Sequence, residues 1–334
     1  MDTIRTAVVG AGKMGEIHAR VYHKLPESEL AAIVDIDKAK AQKLARKYKC
    51  PAVDNCEELI GKVDAVTISA PTAAHLPLAK IFIENHIPVM IEKPLAANAE
   101  EAGEIAALAK QYGTLAAVGH SERCNPVVRA MKRLNIEPKF IESTRISPYP
   151  FRSTDIGVVM DVMIHDIDII LSLARSPVKK VDAVGVNVIG KHEDICNARI
   201  VFESGCISNV TASRLALKTE RKVRVFSKEA YLSLDYYKKH GTVIKAKSNV
   251  NVVEWIRKRQ ESGKFSFANL NWPDLLHIER LDIDEKEPLR VEQEAFLRAV
   301  MDKTTRPEVS AEEGLAAIRC AEQILQGVKE HSWG

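Results

Sequence analysis

A glycine-rich turn close to the amino terminus constrains the fold of this chain more than any other feature. The turn reads Gly10-Ala11-Gly12-Lys13-Met14-Gly15 and follows Ile4–Val9, a mostly apolar run with β-branched residues. A helical pattern from Glu16 to Val21 comes directly after it. A strand that enters a helix through G-x-G-x-x-G is the fingerprint of dinucleotide binding, because the free N–H groups of the helix N-terminus attract a pyrophosphate. The sequence therefore predicts a dinucleotide site at this turn.

The three glycines have separate roles in such a turn. Gly10 permits the tight turn, Gly12 lets the phosphates approach the backbone, and Gly15 lets the helix pack against the strand. A second predicted strand, Glu29–Val34, ends at Asp35, about 20 residues after the last glycine, where a ribose-binding carboxylate belongs. Since a carboxylate accepts hydrogen bonds from ribose hydroxyls and repels a 2′-phosphate, we predict NAD as the cofactor.

Composition excludes several classes of function. With 334 residues the chain is long enough for two domains, and its apolar fraction of 46% is that of a globular protein. A net charge of +3 does not favour nucleic acid, and no apolar run approaches the roughly 18 residues that span a bilayer. The six cysteines include no C-x-x-C pair and indicate free thiols, and no apolar signal core precedes the first strand. We therefore expect a cytoplasmic protein with no nucleic-acid, membrane or metal partner.

Up to about residue 120 the pattern alternates between strands and helices. The strands are continuous apolar runs, as expected when helices cover both faces of a parallel sheet. They comprise Ile4–Val9, Glu29–Val34, Ala65–Ala70, Pro88–Ile91 and Leu115–Gly119, and the helices include Ala73–Glu84 and Ala99–Tyr112. We assign residues 1–121 to a Rossmann domain.

Residues 122–334 predict a second domain, with β-rich segments spaced closely enough for a mostly antiparallel α+β layer. The segments are Phe140–Ile146, Val178–Ile189, Ala198–Phe202, Cys206–Ala212, Lys222–Phe226 and Ala230–Leu234, and the helices are Asn125–Leu134, Val158–Leu173, Glu292–Met301 and Ala311–Lys329. We expect that the final helix can pack back on the Rossmann domain. The stretch from Val250 to Asn271 is irregular, and we interpret it as a long functional loop or mobile insertion, with covering of a uridine as one option.

The motif Glu92-Lys93-Pro94 follows a predicted parallel strand, at the edge where ligands bind in open α/β sheets. Pro94 discourages the strand from continuing and favours an extended backbone at Lys93. This geometry predicts that the Lys93 ammonium lies over the crevice for the nicotinamide. The alternative is a surface lysine before a proline turn.

A second motif places a histidine among carboxylates on an otherwise apolar helix. At helical spacing Asp161, His165 and Asp168 share one face, so that a carboxylate lies about one turn away on each side of the imidazole. A carboxylate within hydrogen-bond reach orients an imidazole and raises its basicity, which suits a general base. A buried structural His–Asp network and a metal site are the alternatives, and no Cys/His cluster supports the metal.

With Lys93 and His165 in place, the chain resembles the glucose–fructose oxidoreductase/inositol dehydrogenase (Gfo/Idh/MocA) family. The matching motifs are Gly10-Ala11-Gly12-Lys13-Met14-Gly15, Asp35, Ser69-Ala70-Pro71-Thr72 with His75, Glu92-Lys93-Pro94, Asp161-x-x-x-His165-x-x-Asp168 and Val309-Ser310-Ala311-Glu312-Glu313-Gly314. The resemblance implies an α/β fold: an N-terminal Rossmann domain plus a C-terminal α+β domain with a large, mostly antiparallel open sheet. It also implies homodimers or homotetramers formed through that sheet, and an active site between the domains with Lys93, Asp161 and His165 as catalytic residues.

Two further runs are similar to a subgroup of that family, the UDP-N-acetylglucosamine 3-dehydrogenases. They are Val118–Pro126, with the pattern G-H-x-E-R-x-N-P, and Val158–Asp168, with M-D-x-M-I-H-D-I-D. This resemblance implies NAD-dependent oxidation of the sugar C3 hydroxyl, giving the 3-keto sugar for an amino-sugar, lipid A-type pathway. The chain departs from the subgroup at Cys124, where Phe is usual.

The motifs define two sets of expected contacts. For the cofactor they are Gly10, Gly12, Lys13, Met14, Gly15, Asp35, Ser69, Pro71, Thr72, His75, Glu92 and Lys93. For a sugar-nucleotide substrate they are Lys93, Arg123, Asn125, Arg152, Asp161 and His165, with Arg145, Arg214, Lys218, Arg221, Lys222 and Arg224 as further cations for a diphosphate. Lys13 offsets part of the repulsion between Asp35 and a 2′-phosphate, so that tolerance of NADP stays open.

Three alternative functions remain from the sequence. The first keeps the fold and changes the substrate to inositol, glucose or a similar polyol or sugar. The second is a cofactor-binding regulator without catalysis, against which the complete set of Lys93, Asp161 and His165 argues. The third is a reductase of imines or biliverdin-like substrates, which does not need the Asp161–His165 pair.

Overall fold

The glycine turn joins the first strand and helix of a six-stranded parallel sheet. The computed structural model describes residues 3–149, 156–246, 252–261 and 276–331. The strands of this sheet are β1 Ile4–Val9, β2 Ser28–Val34, β3 Ala52–Val53, β4 Ala65–Ile68, β5 Val89–Glu92 and β6 Ala116–Gly119, in the order β3-β2-β1-β4-β5-β6. The helices are α1 Lys13–Tyr22, α2 Lys38–Tyr48, α3 His75–Glu84 and α4 Ala99–Tyr112. Strand order reverses beside β1, and ligands bind at such a switch point.

Apolar side chains fill both faces of this sheet. Strands β4, β5 and β6 are buried at every position, which explains why each is a short run with little polar alternation. On one face Val8, Ile33 and Met90 belong to one buried cluster, whereas Ile68 and Ile91 belong to a second cluster on the other face. The predicted Rossmann half is confirmed.

The second half forms an eight-stranded sheet. Its strands are β7 Phe140–Ile146, β8 Val178–Val186, β9 Ile195–Phe202, β10 Ile207–Ser213, β11 Glu220–Phe226, β12 Tyr231–Asp235, β13 His240–Ala246 and β14 Leu276–Arg280. They run in the order β14-β13-β12-β11-β7-β10-β9-β8, and every neighbouring pair is antiparallel except β7 and β10. The large, mostly antiparallel sheet is confirmed.

Helices cover one face of this second sheet. The helices of the second half are α5 Pro126–Lys132, α6 Ile164–Ala174, α7 Val252–Glu261, α8 Pro288–Met301 and α9 Ala311–Glu330. Helices α5, α6 and α9 supply buried side chains to the core under the second sheet, whereas α8 packs against the first half. Residues alternate between buried and more exposed along β7, β9 and β10, since one face packs against α6 and α9. On the other face polar pairs cross neighbouring strands, such as Asn197 with Thr211 and Arg199 with Asn209. None of the described helices has the length and apolar character that a bilayer span requires.

The last helix returns to the first half of the chain. Glu322 of α9 accepts a hydrogen bond from the Ala99 N–H at the start of α4, at 2.8 Å. Gly314 lies against Val118, where an added Cβ would come within 2.6 Å of a Val118 methyl carbon. Ser310 caps the helix in a reciprocal arrangement with Glu313. The helix therefore contacts both sheets.

The stretch from 250 to 271 differs in part from its prediction as an irregular loop. Residues 252–261 form helix α7, and the rest of that stretch lies outside the described residues. Ion pairs one turn apart, Glu254 with Lys258 and Arg257 with Glu261, stabilise such a helix by a few tenths of a kcal/mol each. Apolar periodicity, on which the prediction relied, does not detect a helix of this kind.

Candidate active site

The glycine turn has the geometry that a dinucleotide requires. Gly10 has a φ of +101°, and an added Cβ would lie 2.8 Å from the backbone of Ser69 and Ala70. A Cβ at Gly15 would lie 1.8 Å from the Gly10 carbonyl oxygen, so no larger residue fits there. At Gly12, which precedes α1 without a side-chain cap, an added Cβ meets no atom within 4 Å. The turn therefore leaves open space at the N-terminus of α1, which suits the pyrophosphate of NAD.

Asp35 lies at the carboxyl end of β2, beside the turn. One carboxylate oxygen accepts a hydrogen bond from the Ala11 N–H at 2.7 Å, and the other accepts from the Asp37 N–H at 2.8 Å. These contacts fix the carboxylate where the adenosine ribose binds in this fold. The position matches the predicted preference for NAD.

Replacing Asp35 with Ser should weaken NAD binding and shift the preference between NAD and NADP toward NADP by about 10- to 100-fold. The variant loses an acceptor for the ribose hydroxyls and a charge that repels a 2′-phosphate. Titration of the protein with each cofactor measures the ratio of the two Kd values. The control is Asp37→Ser, which keeps a capping residue at the start of α2 and should leave the ratio unchanged. An unchanged ratio in Asp35→Ser contradicts the assignment.

The remaining predicted cofactor residues lie around the ends of β4 and β5. Ser69 donates a hydrogen bond to the Gly10 carbonyl at 3.1 Å, and Thr72 begins a short 3₁₀ turn that follows Pro71. His75 is buried, with Nε2 3.0 Å from the Ala70 carbonyl oxygen and Nδ1 3.0 Å from that of Pro94. These contacts indicate that His75 supports the loops around the site.

A crevice of about 450 Å³ lies between the two halves, at the carboxyl edge of the parallel sheet. Met14 and Ser69 line it from the side of the glycine turn. Lys93, Asp161 and His165, the three residues predicted to be catalytic, also line it. The fold therefore brings the two motifs of the sequence analysis to one place.

Lys93 is held by Asp161. Its Nζ donates to the Asp161 backbone carbonyl at 2.8 Å and lies 3.3 Å from a carboxylate oxygen of the same residue. Asp161 belongs to a π-helical turn, Val159–Met163, in which the Ile164 N–H donates to the Val159 carbonyl five residues back. Such turns are rare and occur frequently at functional sites.

The predicted pairing of Asp161 with His165 is not present in the structure. A π turn takes in an extra residue, so side chains four positions apart no longer lie on one face, and the carboxylate meets Lys93 instead. Asp168, the other expected neighbour, pairs with Arg123. Helical spacing therefore located the right residues but misassigned their partners.

His165 lies half-buried in the wall of the crevice. Its Nδ1 atom is buried and has no hydrogen-bond partner among the described residues. Burial lowers the pKa of His165 well below 6.5, and the charges of Lys93 and Arg145 lower it further. The ring is therefore neutral at pH 7 and available as a base.

Glu92, the residue before Lys93, links the lysine backbone to His18. One of its oxygens lies 2.7 Å from His18 Nε2, and the other accepts a hydrogen bond from the Lys93 N–H at 3.1 Å. Gln293 of α8 donates to His18 Nδ1 at 2.9 Å, which assigns the ring proton to Nε2, facing Glu92. His18 and Gln293 were not among the predicted site residues, although a histidine three residues after the last glycine of the turn is a visible signal.

Glu292, the neighbour of Gln293 on α8, is fully buried, and neither carboxyl oxygen has a partner among the described residues. Burial raises its pKa well above 4.5, and the charges of Glu92 and Asp168 raise it further. Glu292 is therefore protonated in the folded protein. Below the pKa of Glu292 in the unfolded chain, the carboxyl is protonated in both states and does not reduce the free energy of unfolding. Above that pKa the unfolded chain ionises and the folded protein does not, so the free energy of unfolding falls by about 1.4 kcal/mol per pH unit.

Replacing Glu292 with Gln should remove this loss, since the amide does not ionise on unfolding. We expect a higher Tm than wild type at pH 8 and a similar Tm at pH 5, measured by calorimetry at constant ionic strength. Glu294→Gln on the same helix, where the carboxylate pairs with Arg290, is the control and should show no such pH-dependent gain. A gain of equal size at both pH values would show that ionisation of Glu292 is not its cause.

Two predicted substrate residues have other roles in the structure. Arg123 is only 4% exposed and forms a two-point ion pair with Asp168, at 2.8 and 2.5 Å, and a contact with Glu313 at 3.1 Å. Asn125 is buried and caps α5 by accepting a hydrogen bond from the Val127 N–H. Both side chains are occupied by these contacts and neither lines the crevice. Arg152 lies outside the described residues.

The structure adds an ion-pair network to the wall of the crevice. Arg145 of β7 is buried and pairs with Asp166 at 2.6 Å, and its guanidinium also lies 3.4 Å from Glu122. Arg221 of β11 pairs with the other oxygen of Glu122 at 2.8 Å. Composition identified these arginines only as possible cations for a diphosphate, because it does not reveal their acidic partners. Among the described residues, no group of three or more His, Cys, Asp or Glu side chains is placed to hold a metal ion.

Family models match both halves of the chain. The model described as an oxidoreductase family with an NAD-binding Rossmann fold matches residues 4–120, and the GFO/IDH/MocA C-terminal domain matches residues 141–233. UDP-N-acetylglucosamine 3-dehydrogenase from Acidithiobacillus ferrooxidans is 32% identical over 237 residues, which cover 71% of this chain and 75% of that protein. Inositol 2-dehydrogenase from Rubrobacter xylanophilus is 30% identical over 206 residues, 57% of this chain and 58% of that protein.

Solved structures agree with these matches. UDP-N-acetylglucosamine 3-dehydrogenase GnnA from Acidithiobacillus ferrooxidans has a TM-score of 0.86 at 27% identity, covering 98% of this chain and 99% of that chain. Levoglucosan dehydrogenase in complex with NADH shares the fold, with a TM-score of 0.83 at 17% identity over 100% of this chain and 99% of that chain. The predicted α/β fold, NAD cofactor and CH–OH oxidoreductase class are confirmed. The protein is an NAD-dependent oxidoreductase that belongs to the GFO/IDH/MocA family.

Proposed function

We propose that the protein oxidises the C3 hydroxyl of UDP-N-acetylglucosamine to the 3-keto sugar. The observation that carries the proposal is the crevice in which Lys93, Asp161 and His165 lie beside the glycine turn. The substrate follows from the relative that is 32% identical and is named for this activity. The 3-keto product has the carbonyl group that an amino-transfer reaction consumes, which fits a place in lipid A-type amino-sugar synthesis.

In the proposed reaction, bound NAD supplies the acceptor for a hydride from the carbinol carbon. Gly12 and Asp35 hold the cofactor through the pyrophosphate and the ribose. His165, neutral at pH 7, takes the hydroxyl proton at Nε2, because its Nδ1 atom is buried on the other side of the ring. Lys93 donates a hydrogen bond to the substrate oxygen as negative charge develops there, and Asp161 keeps the lysine in position.

A second candidate function is oxidation of an uncharged polyol or free sugar. The ion-pair network supports it, because Arg145 and Arg221 are matched by Asp166 and Glu122 and leave little net positive charge for a diphosphate. The relative named inositol 2-dehydrogenase belongs to this class. The two candidates differ in whether a nucleotide is needed.

Incubation with NAD and a panel of substrates decides between them. The panel contains UDP-N-acetylglucosamine, UDP-glucose, free N-acetylglucosamine and myo-inositol, and the reduced cofactor is followed by absorbance. A transaminase or a carbonyl-trapping reagent removes the ketone, so that an unfavourable equilibrium does not hide turnover. We expect UDP-N-acetylglucosamine to react best. Turnover of inositol or a free sugar, with no reaction of UDP-N-acetylglucosamine, overturns the proposal.

We further propose that the boundary between the two domains lies between residues 121 and 122, shortly after β6. We also propose that the enzyme is cytoplasmic. We propose that it assembles into a homodimer or homotetramer through the open face of the second sheet, where the apolar side chains of Val184 and Ile195 are exposed, and light scattering during gel filtration tests this.

A further inference from the structure

A second histidine lies behind His165 and has no role in the mechanism above. His120 follows β6 directly and is 1% exposed. The centroids of the two imidazole rings are 6.4 Å apart, and the rings are nearly perpendicular, at 89°. The two rings therefore lie edge to face.

Each of the two rings also has a buried nitrogen without a hydrogen-bond partner among the described residues. The Nδ1 atoms of His120 and His165 are both buried, and neither has a partner among the residues that the structure describes. Leaving such a nitrogen unpaired costs about 1–3 kcal/mol, and the usual resolution is an ordered water molecule with two or more polar neighbours. Two buried nitrogens on adjacent rings satisfy that condition.

Burial lowers the pKa of both imidazole rings. Lys93, Arg145 and Arg221 act on His165, and each disfavours a proton there. At His120 burial lowers the pKa below 6.5, and the charges around the ring partly cancel: Asp168 and Glu92 raise the pKa, while Arg123 and Lys93 lower it. Both rings are therefore neutral at pH 7, and Nδ1 of His120 can accept a hydrogen bond.

We propose that His120 is a positioning residue for His165, and that one water molecule joins their Nδ1 atoms; this rests on the proposed role of His165 as the base. In the resting state His165 Nδ1–H donates to the water, and the water donates to His120 Nδ1. This chain leaves Nε2 of His165 unprotonated and directed to the substrate. As the substrate hydroxyl loses its proton to Nε2 and the carbinol carbon loses its hydride to NAD, His165 becomes an imidazolium whose Nδ1–H still donates to the water, so that the ring keeps its orientation.

His120 thereby takes the role that helical spacing had assigned to Asp161. A carboxylate in contact with His165 would orient the ring, but Asp161 is engaged with Lys93. The G-H-x-E-R motif therefore supplies the orienting partner for a histidine 45 positions later in the chain.

Two variants test the proposal by kinetics. His120→Phe keeps a ring against His165 but has no nitrogen, and we expect it to lower kcat about 10- to 100-fold, less than the full contribution of a general base, with KM and the Kd for NAD unchanged. His120→Asn has an amide that can bond to the water and should recover most of the lost rate. Wild-type turnover in His120→Phe overturns the proposal, as does a His120→Asn variant no faster than His120→Phe when both bind NAD normally and keep the wild-type Tm.

A measurement that needs no substrate separates this proposal from the proposed function. Nitrogen-15 NMR of labelled histidines reports which ring nitrogen carries the proton, and His165 is assigned with His165→Asn. In the NAD-bound wild type at pH 7.5 we expect the proton of His165 on Nδ1, and in His120→Phe a shift of population to Nε2. The same tautomer in both proteins overturns the positioning role of His120, whereas failure of UDP-N-acetylglucosamine to react affects the substrate assignment alone.

Discussion

Replacing Lys93 with Met should lower kcat about 10²–10⁴-fold while NAD binds as it does to the wild type. Methionine keeps most of the length of the side chain but cannot donate the hydrogen bond that stabilises the developing charge on the substrate oxygen. The cofactor contacts at the glycine turn and Asp35 do not depend on this side chain. Steady-state kinetics with the substrate identified by the panel, together with a titration of NAD, checks both parts.

Lys13→Met is the matched control for this loss. Lys13 is another lysine predicted to lie at the cofactor, exposed at the start of α1, and it does not line the crevice that contains Lys93. We expect its kcat to stay within about threefold of wild type. If Lys93→Met turns over at a similar rate to Lys13→Met, then Lys93 takes no part in the chemistry.

The second large effect is expected at His165, where replacement with Asn should also lower kcat about 10²–10⁴-fold. The pH dependence of the wild type carries further information. Because the pKa of His165 in the folded protein lies well below 6.5, the neutral ring persists at a lower pH than that of a free histidine. Activity should therefore not fall as pH decreases through 6.5.

The profile of kcat/KM against pH tests this expectation in the free enzyme. If kcat/KM falls on the acid side with a midpoint near pH 6.5, the general base has an ordinary imidazole pKa. That result would exclude His165 as the base, because its surroundings lower its pKa. The control variant is His86→Asn, which removes an exposed histidine at the far end of α3 and should preserve both the rate and the profile.

The first half of the fold was predictable because its signals are local. The glycine turn needs three positions at fixed spacing, and strands such as β4 and β5 are apolar throughout, since helices cover both their faces. Strand β14 and helix α7 carry weaker signals. Helix α7 depends on ion pairs between neighbouring turns, and β14 has few buried positions.

The site was predictable in its members but not in their pairing. Lys93, Asp161 and His165 do meet in one crevice, but the π turn changes which side chains share a face. Arg123 and Arg145 look alike in the sequence, yet both are buried in ion pairs with acids on α6, and only Arg145 borders the crevice. Such pairings depend on how helix α6 packs against the rest of the molecule, and that packing is a property of the whole tertiary structure.

The hydrogen bond between Gln293 and His18 has a consequence for the order of events during synthesis. The histidine that supports Glu92, and through it Lys93, receives its own partner from residue 293 of a 334-residue chain. A nascent chain with a complete parallel sheet still lacks this contact until α8 has emerged from the ribosome. Lys93 is thus fully supported only when nearly the entire polypeptide has been made, and a fragment ending before α8 has the glycine turn but lacks the contact that supports this lysine.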